Sequence, residues 1–143
     1  MTETMKPNEP ICNRLDHIAI VVRDTDEALE FYRDVLGLPV VLSEVIPTGD
    51  VRLTHLDLGN VHLQLVQPIG EDHPLQQHLE QHGEGLHHLC FQTDDVSESL
   101  KLLPSRGMSA KSLTPHDAPR GRKAGFIDPK STRGVLWEMT GPM

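Results

Sequence analysis

Four side chains in this 143-residue sequence have the types to hold a metal ion together: His17, Gln64, His88 and Glu138. Two imidazoles and two oxygen donors suit a divalent first-row ion, with positions left over for water or a small ligand. The four are far apart in the chain, so only the fold can assemble them. An internal repeat ties them to one another. Leu15-Asp16-His17-Ile18 lies over Leu86-His87-His88-Leu89, a shift that carries position 17 onto position 88. Asp24, Glu27 and Leu29 then fall on Asp95, Glu98 and Leu100. Val61-His62-Leu63-Gln64 lies over Val135-Leu136-Trp137-Glu138, carrying 64 onto 138, and a loop-length difference accounts for the drift. Each copy therefore supplies one His from its first strand and one amide or carboxylate from its last. A repeat of this kind outranks any single propensity.

The elements that must position these side chains follow from periodicity and turn residues. Leu15–Val22 reads as a strand, and 25–36 as a helix closed by Gly37. Pro39–Ile46, Val51–Leu58 and Val61–Val66 read as strands, with Gly59-Asn60 as a hairpin turn. A short helix over Leu75–His82 ends at Gly83. The pattern then returns: strand Leu86–Gln92, helix Val96–Arg106 disturbed by Pro104, and strands Ser109–Leu113, Ala124–Asp128 and Val135–Thr140. In the first strand, alternation turns His17, Ala19 and Val21 to one face and Ile18, Ile20 and Val22 to the other. In the repeat, His88, Cys90 and Gln92 share the open face and His87 points away. Two such halves about a pseudo-twofold converge His17, Gln64, His88 and Glu138 in a cup. The expected class is α+β: two βαβββ modules forming an eight-stranded, cup-shaped mixed sheet with helices outside. Residues 1–12 read as a flexible tail. Residues 13–143 read as one domain, with module one at 13–68, a linker helix at 69–84 and module two at 85–143.

Composition narrows the partners. Lys plus Arg is 13 and Asp plus Glu is 21, a net charge of −8, which argues against a general nucleic-acid binder. No stretch approaches the roughly 18 apolar residues that a membrane span needs. Met1–Pro10 has no apolar core of a signal peptide. Two cysteines, Cys12 and Cys90, build no disulfide framework, so a reducing cytoplasm is the expected compartment. Cys90 reads as a buried filler. His73, His78, His82 and His87 read as surface positions.

The segments LDHIAIVVRDTDEALEFYRDVLGLPV (15–40), GEGLHHLCFQTDDV (83–96) and DPKSTRGVLWE (128–138) resemble the vicinal oxygen chelate superfamily of glyoxalase, bleomycin-resistance and dioxygenase proteins. Within it the resemblance is greatest to the methylmalonyl-CoA epimerases and spans residues 14–140. It implies the glyoxalase-like fold and the same four metal ligands, and an ion such as Co²⁺, Mn²⁺, Zn²⁺ or Ni²⁺. It also implies abstraction of the proton alpha to a thioester carbonyl, with charge stabilisation at the developing oxyanion as the main contribution. A homodimer is implied as well. In that family a third-strand Glu and the Glu of VLxE serve as bases. Glu138 matches the second, but the first falls on Leu53. His55, two residues on along the same face, is the expected substitute. The family's loop arginine is His116 here, and its His before PKS is Asp128.

Arg120, Arg122, Lys123, Lys130 and Arg133 gather five of the 13 basic residues around one loop. In an acidic chain they form a candidate anchor for the phosphates of an acyl-CoA. Two other readings use the same cup. A glyoxalase I-type lactoylglutathione lyase would act on a hemithioacetal with the same ligands. A non-catalytic small-molecule-binding protein would use the cup as a pocket, a role that 3% aromatic content fits poorly. An extradiol dioxygenase would need only two His and one Glu around iron, leaving Gln64 without a purpose.

Overall fold

The computed structural model describes residues 9–142. Strand β1 (Arg14–Val21) leads into helix α1 (Thr25–Leu29), then β2 (Val40–Ile46), β3 (Val51–Asp57) and β4 (His62–Pro68). Helix α2 (Pro74–His82) bridges to the second module. There β5 (Gly85–Gln92) precedes α3 (Val96–Leu102), β6 (His116–Asp117), β7 (Lys123–Ile127) and β8 (Trp137–Gly141). The repeat recurs at the helix starts. Asp24 Oδ1 accepts from Glu27 N at 3.0 Å, and Asp95 Oδ1 accepts from Glu98 N at 3.0 Å. Each cap satisfies an amide that the first turn leaves unpaired.

The eight strands form one mixed sheet in the order β2-β3-β4-β1-β5-β8-β7-β6. β1 runs parallel to β4 and β5 parallel to β8, while β1 and β5 pair antiparallel across the seam between modules. The four central strands are therefore the first and last of each module. The sheet curls until its outer rims meet: Thr48 Oγ1 donates to Asp117 Oδ2 at 2.7 Å, and Arg120 N donates to Glu44 Oε2 at 3.1 Å. The result is a nearly closed cup with its helices on the outside.

Three elements differ from the sequence expectation. The helix expected over 25–36 widens after Leu29 into a π turn over Glu30–Val35, where Leu36 N reaches Phe31 O at 2.9 Å. The second helix narrows to a 3₁₀ turn over Leu103–Arg106 because Pro104 lacks the N–H that an α turn would use. The strand expected at Ser109–Leu113 contributes only the bridge Ala110↔Ile127, and the edge strand forms instead at His116–Asp117. The Ser112 hydroxyl accepts from Thr114 N at 3.2 Å, a local turn that competes with the ladder.

Apolar clusters line both sides of the sheet. Val22, Leu29, Leu56 and Leu65 pack under α1. Val96, Leu100, Leu103, Ile127 and Met139 pack under α3. Of the tail expected over 1–12, residues 1–8 lie outside the described residues, and Ile11 and Cys12 pack against the α3 cluster. A third cluster, Ala19, Ile46, Leu53 and Val66, lies on the inner face of the cup.

Candidate active site

The cup encloses a cavity of about 850 Å³. Its floor is built by one side chain from each central strand: Gln64 on β4, His17 on β1, His88 on β5 and Glu138 on β8. All four are buried. One ligand atom from each of His17, His88 and Glu138 lies within 4.8 Å of the others. Glu138 divides its two oxygens. Oε1 stands 3.3 Å from His17 Nε2 and 3.2 Å from His88 Nε2, while Oε2 stands 3.1 Å from His116 Nε2. Gln64 Nε2 is 2.9 Å from His55 Nε2, and the His55 and His17 rings are 5.3 Å apart.

Each imidazole of the trio is held from behind. His17 Nδ1 meets Asp16 Oδ2 at 2.7 Å, and His88 Nδ1 meets His87 Nδ1 at 2.8 Å. Asp16 and His87 are equivalent positions of the repeat, each immediately before a His of the cup floor. The β1–β5 register slips at both places, between Leu15 and His17 and between Ala19 and Ile20, opposite His87. A bulge inserts an extra residue and turns its side chain out of the alternation. That is why His87, expected to point away from the cup, instead lines it. Of the other histidines read as surface positions, His82 is exposed. His78 is half-buried, its ring 5.1 Å from that of His87, and His73 caps α2 by accepting from Leu75 N.

Electrostatics follow from these contacts. Burial opposes charge on Glu138, but hydrogen bonds from His116, His17 and His88 outweigh it and hold the carboxyl well below its usual range. Burial likewise opposes charge on His17, yet its bonds to Asp16 and Glu138 raise the imidazole to about 9. Burial, then the neighbouring His17 and His62, pushes His55 down to about 3. Burial, then His88 and His78, pushes His87 down to about 4. Burial and nearby Glu138 raise Cys90 well above an ordinary thiol, so it stays protonated as a filler.

The donor set fits the divalent ion expected from the sequence. With Nδ1–H committed to Asp16, a neutral His17 turns its Nε2 lone pair towards the Glu138 carboxylate. The approach of that buried Nε2 to Glu138 Oε1 is an ion-pair contact rather than a well-aligned hydrogen bond. Two electron-rich atoms facing each other 3.3 Å apart require a cation, either a proton on His17 or a metal ion. The carboxylate behind His17 and the imidazole behind His88 are the outer partners that orient metal-bound histidines.

The remaining expected residues divide. His55 faces the cup, but both its nitrogens are engaged, Nε2 by Gln64 and Nδ1 by His62 at 3.0 Å. In that position the imidazole braces the Gln64 amide. Arg120, Arg122 and Lys123 line the cavity. Lys130 and Arg133 do not, because the 3₁₀ turn Pro129–Ser131 carries them outside the cup. Arg122 Nη1 reaches Asp16 Oδ1 at 3.3 Å, and Lys123 pairs with Asp117. Asp16 and His116 were not among the expected site residues. Asp16 could have been found from its place before His17, whereas His116 lies on the short edge strand β6, outside the segments that the sequence repeat aligns.

Residues 16–126 match the family described as the Glyoxalase/Bleomycin resistance protein/Dioxygenase superfamily. An uncharacterized protein of Bacillus subtilis, YqjC, is 37% identical over 130 residues, which cover 91% of this chain and 93% of that one. The mitochondrial methylmalonyl-CoA epimerase of Mus musculus is 35% identical over 129 residues, covering 88% and 71%. Among solved structures, a variant of Streptomyces coelicolor methylmalonyl-CoA epimerase in complex with 2-nitronate-propionyl-CoA superposes with a TM-score of 0.83. It is 34% identical, covering 92% of this chain and 95% of that one.

Proposed function

The chain belongs to the glyoxalase/bleomycin resistance protein/dioxygenase superfamily, and from that membership we propose that it is a metal-dependent isomerase of the epimerase type. The proposed reaction removes and returns the proton alpha to the carbonyl of an acyl-CoA thioester. The observation that carries this reading is the buried convergence of His17, His88 and Glu138, one ligand atom of each within 4.8 Å of the others. The epimerase relatives, one bound to an acyl-CoA analogue, support the substrate class.

His17, His88, Glu138 Oε1 and Gln64 are the proposed ligands. The ion they hold supplies Lewis-acid stabilisation of negative charge on a thioester carbonyl oxygen. Glu138 Oε2, which faces His116 rather than the two ligand imidazoles, is the proposed acceptor of the alpha proton. Glu138 stays ionised, and His116 fixes that oxygen towards the cavity. His55 was the expected second base. With both nitrogens occupied, it is proposed instead to aim the Gln64 amide. Arg120, Arg122 and Lys123 at the mouth are proposed to meet the CoA phosphates, and the cup as a whole excludes water from the carbanion.

The test is alpha-proton exchange. Metal-reconstituted protein is incubated with 2-substituted acyl-CoA thioesters in D₂O, and deuterium uptake is followed by NMR. Uptake on at least one thioester, lost in Glu138→Gln, is the expected outcome. A protein that binds its ion but exchanges no thioester refutes the reading in favour of a hemithioacetal substrate or a silent binding cup.

A further inference from the structure

The inner wall of module one changes character along its length. Near the ion site it carries His17, His55 and Gln64. One row on, two residues further along β1 and β4 and two residues back along β3, it carries Ala19, Val66 and Leu53. These join Ile46 in a buried cluster, with Val51 and Leu75 packed against it. Leu53 and Val66 are direct cross-strand partners, so the wall is continuous. Ile46, Val51, Leu53, Val66 and Leu75 all line the cavity. Two residues of a strand span roughly 7 Å. That is the reach of a short substituent on the alpha carbon of a thioester whose carbonyl is held at the ion site.

Five cationic side chains line the cavity, Arg14, Lys111, Arg120, Arg122 and Lys123, and none belongs to the Ile46–Leu53–Val66 cluster. Arg122 is paired with Asp16, Lys123 with Asp117, and Lys111 lies 5.9 Å over the Phe126 ring. An anionic substituent laid against Leu53 and Val66 would lose its water to side chains that offer neither charge nor hydrogen bond, an unfavourable exchange. An alkyl substituent would gain from every methylene it buried.

Resting on the thioester reading above, we propose that the substrate's alpha substituent is an uncharged aliphatic group seated on the Ile46–Leu53–Val66 wall. The preferred substrates are thus 2-alkyl acyl thioesters rather than those bearing a second carboxylate.

The test compares 2-methylbutanoyl-CoA with methylmalonyl-CoA, measured by calorimetry on the metal-loaded Glu138→Gln protein so that turnover does not intrude. The alkyl thioester is expected to bind at least tenfold more tightly, with up to about fourfold gained for each further methylene the wall accommodates. Leu53→Lys is expected to reverse the preference by supplying a cation. If that variant does not fold, the comparison in the Glu138→Gln protein decides alone. Equal or tighter binding of methylmalonyl-CoA overturns the proposal, and so does failure of both thioesters to bind. Preferential binding of the alkyl thioester, coupled with no deuterium exchange in the wild type, upholds the wall as the specificity element while refuting the exchange chemistry.

Discussion

In the metal-free protein, His17 holds a proton that any incoming ion must displace, and the pH dependence of metal binding measures that competition. The imidazole is raised to about 9 by its bonds to Asp16 and Glu138, against the effect of burial. At pH 7 the ring is therefore almost wholly protonated. Displacing that proton weakens apparent affinity by about two pH units' worth, roughly 100-fold or about 2.7 kcal/mol. Apparent Kd for Co²⁺, read by competition with a chelator of known affinity, should fall about tenfold per pH unit from pH 6.5 to 9 and then level. The same proton stabilises the metal-free fold. A raised folded-state pKa contributes fully below the unfolded value near 6.5 and is lost as pH climbs through 9. The metal-free Tm should therefore fall across the window in which metal affinity rises. Asp16→Asn removes one of the two carboxylates that hold the proton, so its levelling point should move to lower pH. A wild-type Kd that does not change between pH 6.5 and 9 refutes the geometry on which the site rests.

Three further outcomes are expected. Glu138→Gln should abolish deuterium exchange and weaken Co²⁺ binding at least tenfold, because it removes both a ligand oxygen and the proton acceptor; full exchange in the variant would remove Glu138 from its role. Acyl-CoA affinity should fall several-fold in Arg122→Ala and with rising salt, but stay unchanged in Lys130→Ala, whose side chain lies outside the cup. A Cβ at Gly141 would lie 2.1 Å from Thr93 O, a backbone atom that cannot step aside. Gly141→Ala should therefore lower unfolding free energy by about 1–3 kcal/mol in denaturant titration, and an unchanged midpoint would contradict the packing of β8.

Much of this arrangement is legible in the chain because it is written twice. The repeat places His17 with His88 and Gln64 with Glu138 before any propensity is considered, and the central strands β4-β1-β5-β8 carry one each. What alternation misses is where strands depart from regular pairing. Asp16 and His87 sit at the slips of the β1–β5 register, so a strict period of two turns His87 the wrong way. The edge of module two is also opaque. There the Ser112 turn displaces a strand, and His116 comes to Glu138 from the short edge strand β6, which the sequence repeat does not align. The basic loop is half legible: its residues cluster in sequence, but the 3₁₀ turn at Pro129–Ser131 parts Lys130 and Arg133 from the three that face the cavity.

The antiparallel seam between β1 and β5 has a consequence for timing. His17 and Glu138 are 3.3 Å apart in space but lie on the first and last strands of the sheet in chain order. Contacts of such long range form late, after closure of the loops between them. On an elongating ribosome, His17 would emerge early beside its neighbour Asp16, and Glu138 would reach it only once β8 followed. The His17–His88–Glu138 cluster is therefore complete only when the last strand has joined the sheet.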